Sequence, residues 1–265
     1  MAKSVVAFGL EEFDPSYTRV LIGNANFYYA DYFTSVGTLE VITGNVNFKK
    51  SKVTDLGNLT TIKGDAIFGG SEITDLGKLN TIWGFANFGD SKITDLGNLT
   101  TINSSADFRD SELESLGNLT TIEGNAIFYG NKKLKNLGKL TTIRYNADFR
   151  ESEIKELGSL TKIGGYALFS QSQIQNLGNL TTIGGDANFI GIGLLKNLGN
   201  LTTIGGNAYF EGSRIKDLGN LTEIGGEADF RQSQIQDLGK LTTIKGFVSF
   251  GNKALSDEWE KRKNK

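Results

Sequence analysis

Residues 177–185 read LGNLTTIGG, and residues 198–206 read it again. Near copies begin at Leu56, Leu76, Leu96, Leu116, Leu137, Leu157, Leu218 and Leu238, a step of 20 residues, or 21 in two places. A phenylalanine recurs with them at 27, 48, 68, 88, 108, 128, 149, 169, 189, 210, 230 and 250. A fixed period constrains a fold more tightly than any composition does. Twenty residues hold too little chain for a strand, a full helix and two turns. Each repeat must be one flat coil, stacked on its neighbours through parallel strands. A single coil has little core of its own, so stacking supplies it.

Within a coil the constant positions are Leu59, Ile62, Ala66, Phe68, Ile73 and Leu76. Ala66-x-Phe68 alternates as a strand does, so Ala and Phe face in while 65, 67 and 69 face out. The Leu-x-x-Ile and Ile-x-x-Leu spacings predict a tight arc. Gly57 and Gly64 are expected to supply backbone angles that other residues resist. The two long repeats carry their extra residue after the Phe, in Tyr129-Gly-Asn-Lys-Lys-Leu134 and Ile190-Gly-Ile-Gly-Leu-Leu195. Each predicts a bulge at the end of the strand. The second is expected to expose Ile190, Ile192 or Leu194, a surface for a partner or for self-association.

Ala66-x-Phe68-x-x-Ser71-x-Ile73 resembles the core of the leucine-rich repeat, L-x-L-x-x-N-x-L. Ser stands at the Asn position at 51, 71, 91, 111, 152, 172, 213 and 233, and Asn131 fills it once. The Ile-x-Gly-x-Ala-x-Phe segment is similar to the rungs of receptor L domains. The resemblance covers roughly residues 20–255. It departs from the family in using Ala-Phe for Leu-Leu and in leaving no room for a convex helix, which favours a straighter solenoid. It implies protein recognition through the face of the parallel sheet and names no ligand.

The expected fold is therefore mainly β: a right-handed parallel β-solenoid of leucine-rich-repeat or L-domain type, with about twelve rungs. Exposed end rungs would pair edge to edge, so the ends should differ. Residues 1–20, with acids and Pro15, read as a strand-like cap, 21–255 as the solenoid, and 256–265 as a capping helix and basic tail. Ser256 is the expected helix cap and Trp259 the lid over the last coil.

The 265 residues contain neither Cys nor His. That removes thiol nucleophiles, disulfides, imidazole bases and the usual soft metal ligands, so no cofactor or metal is expected. A net charge of −2 gives no field for nucleic acid. No apolar run reaches membrane-spanning length. The start, MAKSVVAFGLEEF, does not read as a secretory signal, which leaves the cytoplasm, or a secreted or cell-surface location if a leader has been removed. Asn-Leu-Thr recurs as a formal glycosylation sequence. Glycans on coils ~5 Å apart would collide, so these read as turn residues of a bacterial or phage protein.

The arc hardly varies between coils, whereas the outward positions around Ala-x-Phe vary strongly. Arg109, Ile127, Tyr129, Arg150, Tyr166, Leu168, Ile190 and Tyr209 are the candidate partner-binding residues. They gather apolar side chains, Tyr and Arg on an outward face, the types enriched at interface hot spots. The reading is a non-enzymatic module that binds a protein partner there. The alternatives are a glycan-binding adhesin, an ice binder using the Thr-Thr pairs, and a carbohydrate-active enzyme using carboxylates. The repeated Ala-Asp-Phe-Arg places Asp107, Asp148 and Asp229 two residues from Arg109, Arg150 and Arg231, a spacing that predicts surface ion pairs.

Overall fold

The computed structural model describes residues 3–6 and 13–263. Residues 1, 2 and 7–12 of the expected cap, and 264–265 of the tail, lie outside the described residues. The chain is a parallel β-solenoid of 20- to 21-residue coils divided into two compact units. The first comprises Met1–Ile127, Asn131–Leu134 and Gly138–Leu140, the second Phe128–Gly130, Lys135–Leu137 and Thr141–Lys265.

Each coil contributes two short strands to two sheets. In the first unit one sheet runs through Thr61–Ile62, Thr81–Ile82 and Thr101–Ile102, the other through Ala66–Ile67, Ala86–Asn87 and Ala106–Asp107. The second unit repeats this, from Thr142–Ile143 to Thr243–Ile244 and from Ala147–Asp148 to Val248–Ser249. Register follows the repeat without slip: Ile62 faces Ile82, and Ala66 faces Ala86. The expected arc thus contains a second sheet. A strand only two residues long shows no alternation, which is why spacing alone reads it as a curve. Lys3–Val6 pairs in parallel with Thr18–Ile22 at the start of the first sheet.

The core is a set of columns. Phenylalanines 27 to 230 of the repeat are all fully buried, and within each unit their rings stack nearly parallel. Centroids are 5.1 Å apart for Phe68 and Phe88, and 4.9 Å for Phe169 and Phe189. Offset stacking of this kind contributes roughly 0.5–1.5 kcal/mol per pair beyond burial. Leu59, Ile62, Ile73 and Leu76 fill the rest of their coil without exposure.

Polar side chains of the constant phrase tie coil to coil. Thr181 Oγ1 donates to the Thr161 carbonyl at 3.1 Å, and Thr202 Oγ1 to the Thr181 carbonyl at 3.0 Å. Asn118 Nδ2 donates to the Gly97 carbonyl at 3.1 Å, and Asn220 Nδ2 to Gly199 at 3.0 Å. The glycines split into two kinds. Gly57 sits at φ +52°, the left-handed region expected of it. Gly64 does not: a Cβ there would run into the backbone of Gly44 and Asn45, so close coil stacking is what demands glycine.

The extra residues lie one step later than expected. The turn after the Phe is retained, Asn131 and Ile192 take the buried Ser position, and the added residue falls before Leu134 or Leu195. Ile192 is therefore fully buried, while Ile190 and Leu194 are exposed. The helix spans Lys253–Lys263, and Asn252 rather than Ser256 caps it, its Oδ1 accepting from the Leu255 N–H at 2.9 Å. Asn is as good a cap as Ser, and Lys-Ala-Leu extends the helix behind it. Trp259 is buried, and Arg262 donates to the carbonyls of Gly239 and Leu241 at 2.8 and 2.9 Å.

Candidate functional site

Three residues per coil point outward around Ala-x-Phe, and two of them belong to the frame wherever they are Asn or Asp. In the first column the side chain accepts the N–H of the next coil. Asn45 Oδ1 takes it from Asp65 at 2.8 Å, Asp65 Oδ1 from Phe85 at 2.7 Å, and Asp186 Oδ1 from Asn207 at 2.7 Å. In the middle column the side chain accepts the N–H two residues on. Asn87 takes it from Gly89 at 2.9 Å, Asp107 from Arg109 at 3.0 Å, and Asn188 from Ile190 at 3.0 Å. Sequence reasoning took these columns as variable surface. Half of that variety is hydrogen-bonding frame, signalled by the excess of Asn and Asp.

The frame gives way at a few coils. In the second unit Tyr166 replaces the first-column acceptor and Leu168 the middle one, both in one coil. Among the described residues, the N–H groups of Asp186 and Ser170 then have no acceptor. Tyr209 takes the middle position two coils later. In the first unit Ile67, Phe85 and Ile127 do the same. An N–H left without a partner costs about 1–3 kcal/mol when buried, less where water reaches it.

Six of the candidate residues lie in the second unit. Arg150 donates from Nε to Asp148 Oδ1 at 2.9 Å and from Nη2 to Oδ2 at 2.6 Å, a bidentate pair. Its guanidinium lies 5.7 Å from the Tyr129 ring centroid. The hydrogen bonds to Asp148 raise the Arg150 pKa further above its ordinary value. Leu168 faces Asp148 on one side and Asn188 on the other. Tyr209 faces Asn188 on its far side. Tyr166 and Ile190 are exposed, whereas Tyr129, Leu168 and Tyr209 are half-buried. The remaining two candidates belong to the first unit. Arg109 pairs with Asp107, whose carboxylate is buried, and Ile127 lies beside Asp107 in the sheet.

Other exposed side chains of the first unit were missed. Tyr28 and Tyr29 pack edge to face at 4.4 Å, and Lys50 donates to the Tyr29 hydroxyl at 2.9 Å. That bond holds the Tyr29 phenol below its ordinary pKa. Trp83 is 57 % exposed on the residue after the repeat's Ile, where other coils carry Thr, Lys, Asn, Glu, Arg or Gly; reading that column would have found it. Beside Lys49, Gly69 and Gly89 take the third column on neighbouring coils, and the outward face sinks into a recess of about 460 Å³.

Each Asp of the Ala-Asp-Phe-Arg segments is held by its own Arg. Among the described residues no group of three acidic side chains is placed to hold a metal ion, and no helix is long and apolar enough to cross a membrane. No family model, curated protein or solved structure matches the chain.

Proposed function

We propose that this chain is a non-enzymatic recognition protein of the leucine-rich-repeat type, which binds a protein partner through the outward face of its Ala-x-Phe sheet. The observation that carries the reading is the coil of Tyr166 and Leu168. Two positions that elsewhere accept backbone N–H groups are given over to an aromatic and an aliphatic side chain. Next to them stand the Arg150–Tyr129 pair and Ile190. Anchors of this type, ringed by Asp148, Asn146 and Asn188, have the make-up of an interface centre with a polar rim.

The leucine-rich-repeat assignment draws support from Asn131. Its Oδ1 accepts from the Leu134 N–H at 2.8 Å, and its Nδ2 donates to Ser111 Oγ at 3.0 Å, a buried turn-and-ladder role at the family's Asn position. An ice-binding role is weakened by the Thr ladder, whose first hydroxyl already donates to the preceding coil.

The test compares capture of proteins from host lysate by wild type, Tyr166→Asn/Leu168→Asn and Asp186→Ala. The double variant restores frame acceptors, so it should fold at least as well and lose the partner. Asp186→Ala should keep the partner at reduced stability. Equal recovery by wild type and the double variant would sink the reading.

A further inference from the structure

The geometry points to a second site in the first unit: the recess over Gly69 and Gly89 takes an acidic sugar, one hexuronate residue of a saccharide. The recess, at about 460 Å³, falls in the 300–1,000 Å³ range of small-molecule sites. It exists because two successive coils carry glycine where Lys49 and Arg109 stand on either side. The floor is therefore bare backbone, with Ile67 as its apolar patch.

The donors suit a carboxylate. Ile67 replaces the middle-column Asx, so the Gly69 N–H has no acceptor among the described residues. Asn87 spends its Oδ1 on Gly89 and, among the described residues, has no partner for its Nδ2. The ammonium of Lys49 makes no ion pair among the described residues, and Arg109 is held in place by Asp107 at 2.8 Å. Asp90 also lines the recess, without an ion pair among the described residues. A site for a bare carboxylate gains nothing from a second carboxylate in its wall. A sugar acid uses both, its carboxylate toward Lys49, Asn87 and Gly69, its hydroxyls donating to Asp90. The rim extends the same chemistry. The Lys50 stem lies against Gly70 and reaches Tyr29, so the exposed rings of Tyr28 and Tyr29 offer an apolar face for a neighbouring sugar.

The test is calorimetric titration of the whole chain with tri-galacturonate, maltotriose and a triglutamate peptide. Tri-galacturonate should bind saturably and more weakly as salt rises, and maltotriose about tenfold less tightly or not at all. Lys49→Gln should weaken tri-galacturonate about tenfold at unchanged Tm. Gly89→Tyr should abolish it. Tyr is accepted in that column at Tyr28 and Tyr129, and a Cβ on Gly89 meets Asn87 Oδ1 at 3.3 Å and Arg109 Cγ at 3.4 Å, contacts that small shifts relieve. No saturable uronate binding by wild type at millimolar concentration, or binding untouched by Gly89→Tyr, overturns the proposal. So does a triglutamate peptide that binds as tightly as the uronate. None of these outcomes depends on protein capture by the second unit.

Discussion

The coil of Tyr166 and Leu168 and the coil that follows it share one backbone and carry opposite surfaces. In the second, Asp186 and Asn188 both accept backbone N–H groups, at 2.7 and 3.0 Å. In the first, neither position does. Beneath the surface the two are alike, with Phe169 stacked on Phe189 and Ala167 facing Ala187. A stacked repeat thus separates two tasks that globular folds mix. Stability is written in columns that must be uniform, and a column that is interrupted leaves its surface free for the recognition proposed above.

The largest effect should not distinguish the coils at all. Phe169→Ala and Phe189→Ala each empty a fully buried ring site between two stacked neighbours. Each should cost about 3–5 kcal/mol, read from denaturant midpoints. A difference between them larger than the usual scatter would mean that the cores beneath the two surfaces are not equivalent.

The outward positions should then respond with opposite signs. Asp186→Ala deletes a charged acceptor from the Asn207 N–H and should cost about 1.5–3 kcal/mol. Tyr166→Asn supplies an acceptor to the Asp186 N–H and should add about 0.5–1.5 kcal/mol. Loss of stability in Tyr166→Asn would show that its ring packs as frame after all. A further gain is expected in the turn below. Gln171 holds φ +61°, where Gly70, Gly130, Gly191 and Gly212 stand in equivalent turns. Gln171→Gly should stabilise by about 1 kcal/mol, and Gly191→Gln should lose as much.

The frame was largely legible in the sequence because stacking forces repetition. Phe68, Ala66, Ile73 and Leu76 recur since each must meet its own copy one coil away, so the parallel solenoid could be read from spacing. The second sheet could not, because Thr61–Ile62 is too short to show a period of two. Gly64 was misread for a related reason: sequence records that glycine is needed, not whether a dihedral angle or a neighbouring backbone requires it. Of the outward face, Tyr129 and Arg150 were both read as candidates, and the Arg150 guanidinium lies over the Tyr129 ring. The role of Asp186 and Asn188 was hidden, since an Asn that binds its own backbone and one that faces water look the same in a sequence. The first-unit recess was hidden too, because it is made by what Gly69 and Gly89 lack.

The smallest expected effect concerns charge within the frame. Asp229 resembles Asp148, with Oδ1 accepting the Arg231 N–H at 3.0 Å and Oδ2 taking Nη2 at 2.6 Å. The Arg231 guanidinium, donating to the carboxylate, holds the Asp229 pKa below its ordinary value in the folded chain. A depressed folded pKa means that the unfolded chain takes up the proton first. The bond's contribution is therefore complete above the unfolded value, about 3.9, and is lost as pH falls through the folded one. Asp229→Asn keeps a side-chain oxygen for the Arg231 N–H and removes only the charge. Its stability should match wild type at the acid end of the curve and fall slightly below it at neutral pH, a gap that 1 M salt narrows. Chemical denaturation of both proteins with urea from pH 7 to pH 3 measures it. A constant gap across that range would place the effect in packing rather than in the ion pair, and would make Asp229 the same kind of frame residue as Asn188.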